Sequence, residues 1–391
     1  MDLFDAPPLP FYFTPEHVQF RATMRAFVAR EITPYVNDWD EAETFPRTLY
    51  ARAADLGMLQ LGYPQEYGGT PADIFYRIIV GEELARSGCG GVGASLGSHG
   101  IALPPIVRAG SDAIKARVIP AVLRGEKIAA LAITEPTGGS DVASLRTTAL
   151  REGKHYVVNG EKIFITSGMR ADFLTVAVRT NPDNKGAGGI SALLVDGDTP
   201  GLSRTPLKKM GWWASDTAHL RFDNCRVPAS NLIGEEHQGF KIFMHNFNGE
   251  RLSLAASACG FAQTCFDEAL DWARQRQVFG GTLVQHQVVR HKLMDMKLRI
   301  DAARSLLYEL AWRTQHQLAH PQQLVASVCL AKVQATQAMQ FCADQAVQLL
   351  GGMGFMRGTK SERIYREVKV MMIGGGAEEI MKDLAARQLG I

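Results

Sequence analysis

"KHYVVNGEKIFIT", residues 154–166, decides the fold. Apolar and polar residues alternate along it, the period of a strand whose two faces meet different surroundings. Asn159-Gly160 sits near its centre, and an Asn-Gly pair between alternating runs predicts a two-residue hairpin. The same texture continues in "FLTVAVRT" (173–180), "ISALLVD" (190–196) and "AHLRFDNCRVP" (218–228), with turn residues between them. Residues 129–236 therefore predict a small all-β domain, a barrel or a sandwich.

The flanks have helical texture. Thr14 before Pro15 is a good N-cap with proline at the first helical position. Val18, Met24, Phe27, Val28 and Ile32 then fit one helix face. "FPRTLYARAADLGML" (45–59) predicts another helix, closed by Gly57. Beyond residue 236, helical patterns cover 239–274, 288–317, 322–350 and 378–387, and long helices with short links imply a bundle. The expected fold is α+β. It has an N-terminal helical domain (1–128), a middle β-domain (129–236) and a C-terminal four-helix bundle (237–391).

Bulk properties exclude several classes. The 391 residues carry 42 Lys+Arg against 40 Asp+Glu, so no bulk charge draws the chain to nucleic acid or a membrane surface. Residues 1–20 hold no Lys or Arg, unlike a secretory or transit peptide, which predicts a cytoplasmic protein. The uncharged run 87–107 is long enough to span a bilayer, but its six glycines and two prolines argue against it. The six cysteines form no CxxC pair and no zinc-spaced Cys/His cluster, so buried thiols and no metal are expected. No GxxxxGK[ST] run exists for a nucleoside triphosphate.

Four stretches invite chemistry, and each also reads as ordinary structure. "LAITEPTGGSDVASLRT" (131–147) is a strand running into a Gly-rich loop whose amides and hydroxyls suit a heteroaromatic ring or a phosphate. "VNGEKIFITSG" (158–168) puts Phe164 and Thr166 on one strand face. "RQRQVFGG" (274–281), followed by "LVQHQ", sets Arg276 and Phe279 at a helix exit with His286 beyond. "AVQLLGGMGFM" (346–356) ends a helix at Gly351-Gly352, just after Gln348.

In this order and spacing the four runs resemble the acyl-CoA dehydrogenase family. The resemblance extends nearly end to end through "FTPEHVQFRATMRAFV", "FPRTLYARAADLGMLQLGYPQEYGG" and "MGWWASDTAHLRFDNCRVPASNLIGEEHQGF". It implies FAD as cofactor, usually a homotetramer (a dimer of dimers), and an electron-transfer flavoprotein as partner. It implies that Leu131, Ile133, Thr134, Gly139 and Ser140 hold the flavin and the nearby thioester, with Phe164 and Thr166 on the flavin's other side. Phe164 departs from the family tryptophan and lacks the indole N–H. Arg276, Phe279, Gln348 and Gly352 resemble contacts to the adenine diphosphate, some crossing between subunits, and Leu283, His286, Ala377 and Glu379 complete the cofactor set. Ala377 stands where a Thr or Ser is usual.

The family reaction is α,β-dehydrogenation of an acyl-CoA thioester, in which a carboxylate takes the α proton and the flavin accepts the β hydride. The usual base position falls on Gly375 in "MIGGGAEEI" (372–380), which offers no side chain. A second candidate is Glu250 in "MHNFNGERLSLAASACG" (244–260), with Phe247, Ser253, Leu254 and Ser257 as helical neighbours. By pattern alone Glu250 reads equally as a proton abstractor with a burial-raised pKa or as an ion-paired side chain. The resemblance selects the first reading. Isovaleryl-CoA and long-chain members carry their base in an "ERL" run with a small residue at the other position, as Glu250-Arg251-Leu252 and Gly375 do here. Glu378 and Glu379 suit a helix entrance better. The Gly375 amide is expected to polarise the thioester carbonyl, with Asn248 and Arg251 lining the CoA entrance.

Gly374 and Gly375 remove bulk beside the reacting carbons, and Gly97 in "GGVGASLGSHG" (90–100) falls near the far end of the acyl pocket. These glycines predict room for a branched or medium-to-long acyl chain, and Phe247 and Ser140 join the expected substrate-binding set. The competing readings are an acyl-CoA oxidase, a flavin monooxygenase and a catalytically silent acyl-CoA-binding relative. Oxidases usually carry a further C-terminal domain, and monooxygenases of this fold normally lack the glutamate.

Overall fold

The computed structural model describes residues 9–245 and 247–391. The polypeptide forms two compact units. One comprises Trp39–Pro71 and Gly91–Glu250; the other comprises the described residues up to Asp38, Ala72–Gly90 and Arg251–Ile391. In chain order the architecture is helices, sheet, helices, and the N-terminal helical region contributes to both units.

The sheet unit holds β1 (Ala129–Ala132), β2 (Thr148–Glu152), β3 (His155–Thr166), β4 (Phe173–Arg179), β5 (Ile190–Asp196), β6 (Leu202–Pro206), β7 (Thr217–Pro228) and β8 (Leu232–Ile233). The strands run in the order β6-β7-β3-β2-β4-β5-β8, with β1 added parallel to β4. Two apolar layers form on its faces. Strand β1 feeds both: Ala130 and Ala132 enter one core, whereas Ala129, Leu131 and Ile133 lie toward the other, against Ile106, Val118 and Val122. That alternation is the two-faced pattern of a strand buried on both sides.

The 154–166 stretch is one continuous strand, and the expected Asn159-Gly160 hairpin is absent. β3 pairs with β7 along its length, and the register shifts between Val158 and Gly160. Gly160 has φ +138°, and a Cβ there would come within 2.7 Å of Thr147 Cα. A bulge and a hairpin turn both call for such backbone, so the Asn-Gly signal was real and its meaning was wrong. The chain turns instead at Gly153, φ +59°, between β2 and β3.

In the helical unit the main elements are Pro15–Phe27, Ile74–Ala85, Phe247–Gln275 from Arg251 onward, Gln287–Gln315, Pro321–Leu350, Lys360–Ile373 and Glu378–Leu389. The 239–274 pattern is two helices, Gly239–Met244 and Phe247–Gln275. Lys360–Ile373 was not anticipated, although Ile364, Val368 and Met371 fall at helical spacing and are buried. Thr359 caps it, its Oγ1 accepting from Glu362 N at 3.3 Å. Gly81 and Gly260 let two helices cross closely: a Cβ on Gly260 would lie 2.8 Å from Ala85 Cβ. Behind this crossing, buried Glu82 accepts from Arg21 at 2.7 Å and from Tyr308 Oη at 2.8 Å. Burial pushes the Glu82 carboxyl up, but Arg21 and Arg304 outweigh it and hold it below the usual range.

All six cysteines are buried and free. The uncharged 87–107 run folds into short helices, among them Gly90–Leu96 and Pro104–Ala109. Among the described residues, no helix is long and apolar enough to cross a membrane.

Candidate active site

In the sheet unit, β1 runs directly into the loop that carries Thr134, Gly139 and Ser140. The loop is tied at two levels. Gly138 N donates to Glu135 O at 3.0 Å, closing a tight turn, and Ile163 N donates to Thr134 O at 2.9 Å, joining the loop to β3. Beneath it, Lys162 is fully buried, and its Nζ donates to Ile133 O at 2.9 Å and to Glu135 Oε1 at 2.7 Å. Glu135 also accepts from Arg146 N at 2.6 Å and Thr147 N at 2.9 Å. Burial pushes the Glu135 carboxyl up, but Lys162 and the N–H donors prevail and leave it below the usual range. Burial pulls the Lys162 ammonium down, to about 8, against the attraction of Glu135.

This clamp leaves a cradle on the outer side. Gly139 and Ser140 are exposed, and a Cβ on Gly139 would meet only the Thr134 side chain, at 3.2 Å. Phe164 is 65% exposed, held at φ +62° where β3 bulges a second time, between Lys162 and Ile165. Ile165 is buried, and Thr166 after it is half-buried. Leu131 and Ile133 are half-buried. Gly97 is exposed just past the Gly90–Leu96 helix, and a Cβ there would meet Gly93 O at 3.0 Å.

In the helical unit, Arg276 to His286 form one group. The Phe247–Gln275 helix gives way to a small hairpin of Gln277–Val278 and Gly281–Thr282. Phe279 at its tip has φ +49° and is 99% exposed. Positive φ is uncommon outside glycine, and two exposed phenylalanines held there mark candidate functional positions. His286 crosses Phe279 edge-on, with ring centroids 6.1 Å apart, and its Nε2 is buried without a hydrogen-bond partner. Leu283 N donates to Arg276 O at 2.8 Å. Gln348 and Gly352 lie exposed around the end of Pro321–Leu350, and a Cβ on Gly352 would meet open space.

Glu250 lies in the first turn of Phe247–Gln275, half-buried, with Phe247 and Asn248 also half-buried and Arg251 buried. Leu254 follows Glu250 by four residues, one turn along the same face. A Cβ on Gly375 would lie 2.5 Å from Leu254 Cδ1, and Gly375 has φ +68°. Both facts exclude a relaxed side chain at 375 and keep the usual base position empty. Gly374 caps Lys360–Ile373, and Ala377 caps Glu378–Leu389, with Glu379 exposed in its first turn.

Sequence reasoning missed the two buried cations that hold these loops. Besides Lys162 there is Lys332, fully buried, whose Nζ donates to Met372 O at 3.0 Å and Gly376 O at 2.9 Å. A signal existed: Lys332 is the only charged residue from 321 to 343. Each unit offers features that fit FAD: in the sheet unit an open glycine loop and an exposed aromatic suit a flat ring system, and in the helical unit the orphaned His286 Nε2 offers a polar contact.

Sequence profiles of the acyl-CoA dehydrogenase N-terminal, middle and C-terminal domains match residues 14–126, 130–225 and 237–390. The mitochondrial long-chain specific acyl-CoA dehydrogenase of Rattus norvegicus is 37% identical over 380 residues, covering 96% of this chain and 87% of that protein. The mitochondrial isovaleryl-CoA dehydrogenase of Oryza sativa is 35% identical over 375 residues, covering 95% and 90%. A crystal structure of acyl-CoA dehydrogenase from Geobacillus kaustophilus superposes with a TM-score of 0.92 at 37% identity, covering 97% of this chain and 99% of that one.

Proposed function

The chain belongs to the acyl-CoA dehydrogenase family of FAD-dependent oxidoreductases, and from that premise we propose that Glu250 is the base that opens α,β-dehydrogenation of an acyl-CoA. The observation that carries the proposal is the packing of Gly375. A side chain there would be strained by the positive φ and would have to displace Leu254, while Glu250 stands one helical turn before Leu254. Bound FAD supplies the acceptor for the β hydride. Glu250 takes the α proton. The Gly375 amide donates to the thioester oxygen, where negative charge grows, and a backbone donor needs no side chain to do so. Thr134, Gly139 and Ser140 bind and orient the ring system from one side, Phe164 and Thr166 from the other. Arg276, Phe279, Leu283, His286, Gln348, Gly352, Ala377 and Glu379 hold the nucleotide end. The product is the trans-2-enoyl-CoA.

The substrate proposed is a branched or medium-to-long acyl-CoA, because Gly374 and Gly375 leave space beside the reacting carbons and Gly97 leaves space at the far end. Electrons then pass to an electron-transfer flavoprotein, and the cytoplasm is the proposed compartment. The exposed Phe279, Phe355 and Leu298, at 99%, 86% and 67%, supply apolar surface for a homotetramer, a dimer of dimers.

Anaerobic bleaching of bound FAD by a series of straight and branched acyl-CoAs tests the reading. Glu250→Gln is expected to slow bleaching by about 10²–10⁴-fold while FAD stays bound. Full activity in that variant would refute the base, and a preference for butyryl-CoA would refute the substrate class. Peroxide formation in place of dye reduction would make the protein an oxidase.

A further inference from the structure

The geometry points to Lys332 as the residue that positions the thioester-polarising turn. Its ammonium, sealed inside the helical unit, holds the carbonyls of Met372 and Gly376 and so fixes the glycines between them for donation from the Gly375 amide. The inference rests on the proposed meeting of thioester and Gly375 amide.

The three consecutive glycines have no side chains to hold them, and glycine is the residue with most backbone freedom to lose. Gly375 and Gly376 both sit at positive φ, +68° and +110°. The ends of the turn are therefore what must be fixed. Lys332 grips both: Met372 lies in the last turn of Lys360–Ile373, and Gly376 immediately precedes the Ala377 cap of Glu378–Leu389. Bonds from an ionised donor are about twice as strong as neutral ones.

The cost of keeping this lysine inside is evident. Its hydrogen bonds go to main-chain carbonyls, and among the described residues no carboxylate pairs with it directly. An apolar side chain would fill the space without desolvating a charge. What the lysine adds is the grip on the turn and a positive charge beneath the amide that faces the developing oxyanion. The charged or titratable groups around it are Cys329 on its own helix, Arg251 on Phe247–Gln275 and Glu378 on the last helix. Burial draws Lys332 down to about 8, Arg251 adding to the shift and Glu378 opposing it. The charge is thus lost under mildly alkaline conditions.

Lys332→Met and Lys332→Gln in the FAD-loaded, full-length protein provide the test. Melting temperature and FAD content report folding; kcat, KM and the pH profile report positioning. In Lys332→Met, kcat is expected to fall about 10²-fold, the scale of a misplaced catalytic group, with KM changed less than about threefold. Lys332→Gln keeps a donor without titrating, so it should lie between and lose any fall in kcat above about pH 8. An enolisable 3-oxoacyl-CoA supplies a readout independent of turnover. Its apparent pKa when bound, followed by the ultraviolet enolate band, should rise by about 1–2 units in Lys332→Met. A folded Lys332→Met with wild-type kcat and enolate pKa overturns the inference. If that variant does not fold, a Lys332→Gln enzyme with wild-type kcat and pH profile overturns it. Failure of the wild type to bleach with any acyl-CoA would instead sink the proposed function.

Discussion

In the sheet unit, a fully buried lysine on β3 holds the loop that follows β1; in the helical unit, a fully buried lysine on Pro321–Leu350 holds the turn that precedes the last helix. Each is drawn down to about 8, by burial first in both cases. The difference is the counter-charge. Lys162 touches Glu135, which also binds two amides of the loop's far end, so charge and loop form one closed network. Lys332 touches only carbonyls, and Glu378 acts on it through space. The first arrangement makes a rigid wall. The second makes a grip whose strength depends on one proton.

Glu135→Ala should have the largest effect. It strips Lys162 of its partner and leaves Arg146 N and Thr147 N without their acceptor, at an expected cost of about 3–5 kcal/mol by urea unfolding. Lys332→Met removes the buried charge itself and leaves only two half-buried carbonyls without their donor, so its loss should be smaller, about 1–3 kcal/mol. Equal losses in the two variants would abolish the distinction between wall and grip.

Gly375→Ala comes next, at about 1–3 kcal/mol, because it meets both a positive φ and Leu254 Cδ1 at 2.5 Å. Adding Leu254→Ala should recover the clash but not the backbone strain. Gly139→Ala is the counterpart in the sheet unit. Its Cβ meets only Thr134, at 3.2 Å, so melting should shift little while FAD affinity falls. A Gly139→Ala variant as unstable as Gly375→Ala would show that the sheet loop is packed rather than open.

The same contrast explains what the sequence made legible. Strand alternation and helix spacing are local, so the helix–sheet–helix order could be read directly. Phe164 lies inside the second bulge, between Lys162 and Ile165, so the strand alternation that paired it with Thr166 does not hold at that point. Asn159-Gly160 misled because hairpins and bulges both draw on glycine's access to positive φ, and only pairing with β7 separates them. Lys162 hid for a related reason: the bulge between it and Ile165 puts two residues three apart into the core, which strict alternation forbids. Lys332 was visible as a lone charge in an apolar helix, but its partners are 40 and 44 residues away in sequence. Gly375 pointed to Glu250 through family resemblance. The physical reason glycine suits the position, a φ of +68° beside Leu254, appears only with the fold.

Alkaline unfolding separates the two lysines more finely. Each has a native pKa of about 8, below its unfolded value of 10.5. Below 8 both states are protonated, and the full cost of burying the charge stands. Between 8 and 10.5 the unfolded chain binds more protons, so this contribution to stability rises with pH, by at most about 1.4 kcal/mol per unit for each lysine. Lys332→Met should flatten that rise by one lysine's share. An unchanged slope would mean that Lys332 titrates at its ordinary value in the native state.

The smallest expected effect is that of Glu378→Gln. Glu378 accepts from Gln337 Nε2 at 2.7 Å and pairs with Lys382 at 2.6 Å in the first turn of its helix, where a carboxylate favours the dipole. Its loss should cost only about 0.3–1 kcal/mol. The informative readout is the alkaline fall of kcat. Glu378, ahead of Cys329, opposes the lowering of Lys332, so removing its charge should move that fall to lower pH, by a fraction of a unit. No displacement would mean that Lys332 feels its carbonyls alone. A move to higher pH would require another anion near the lysine, and the helical unit would then resemble the sheet unit after all.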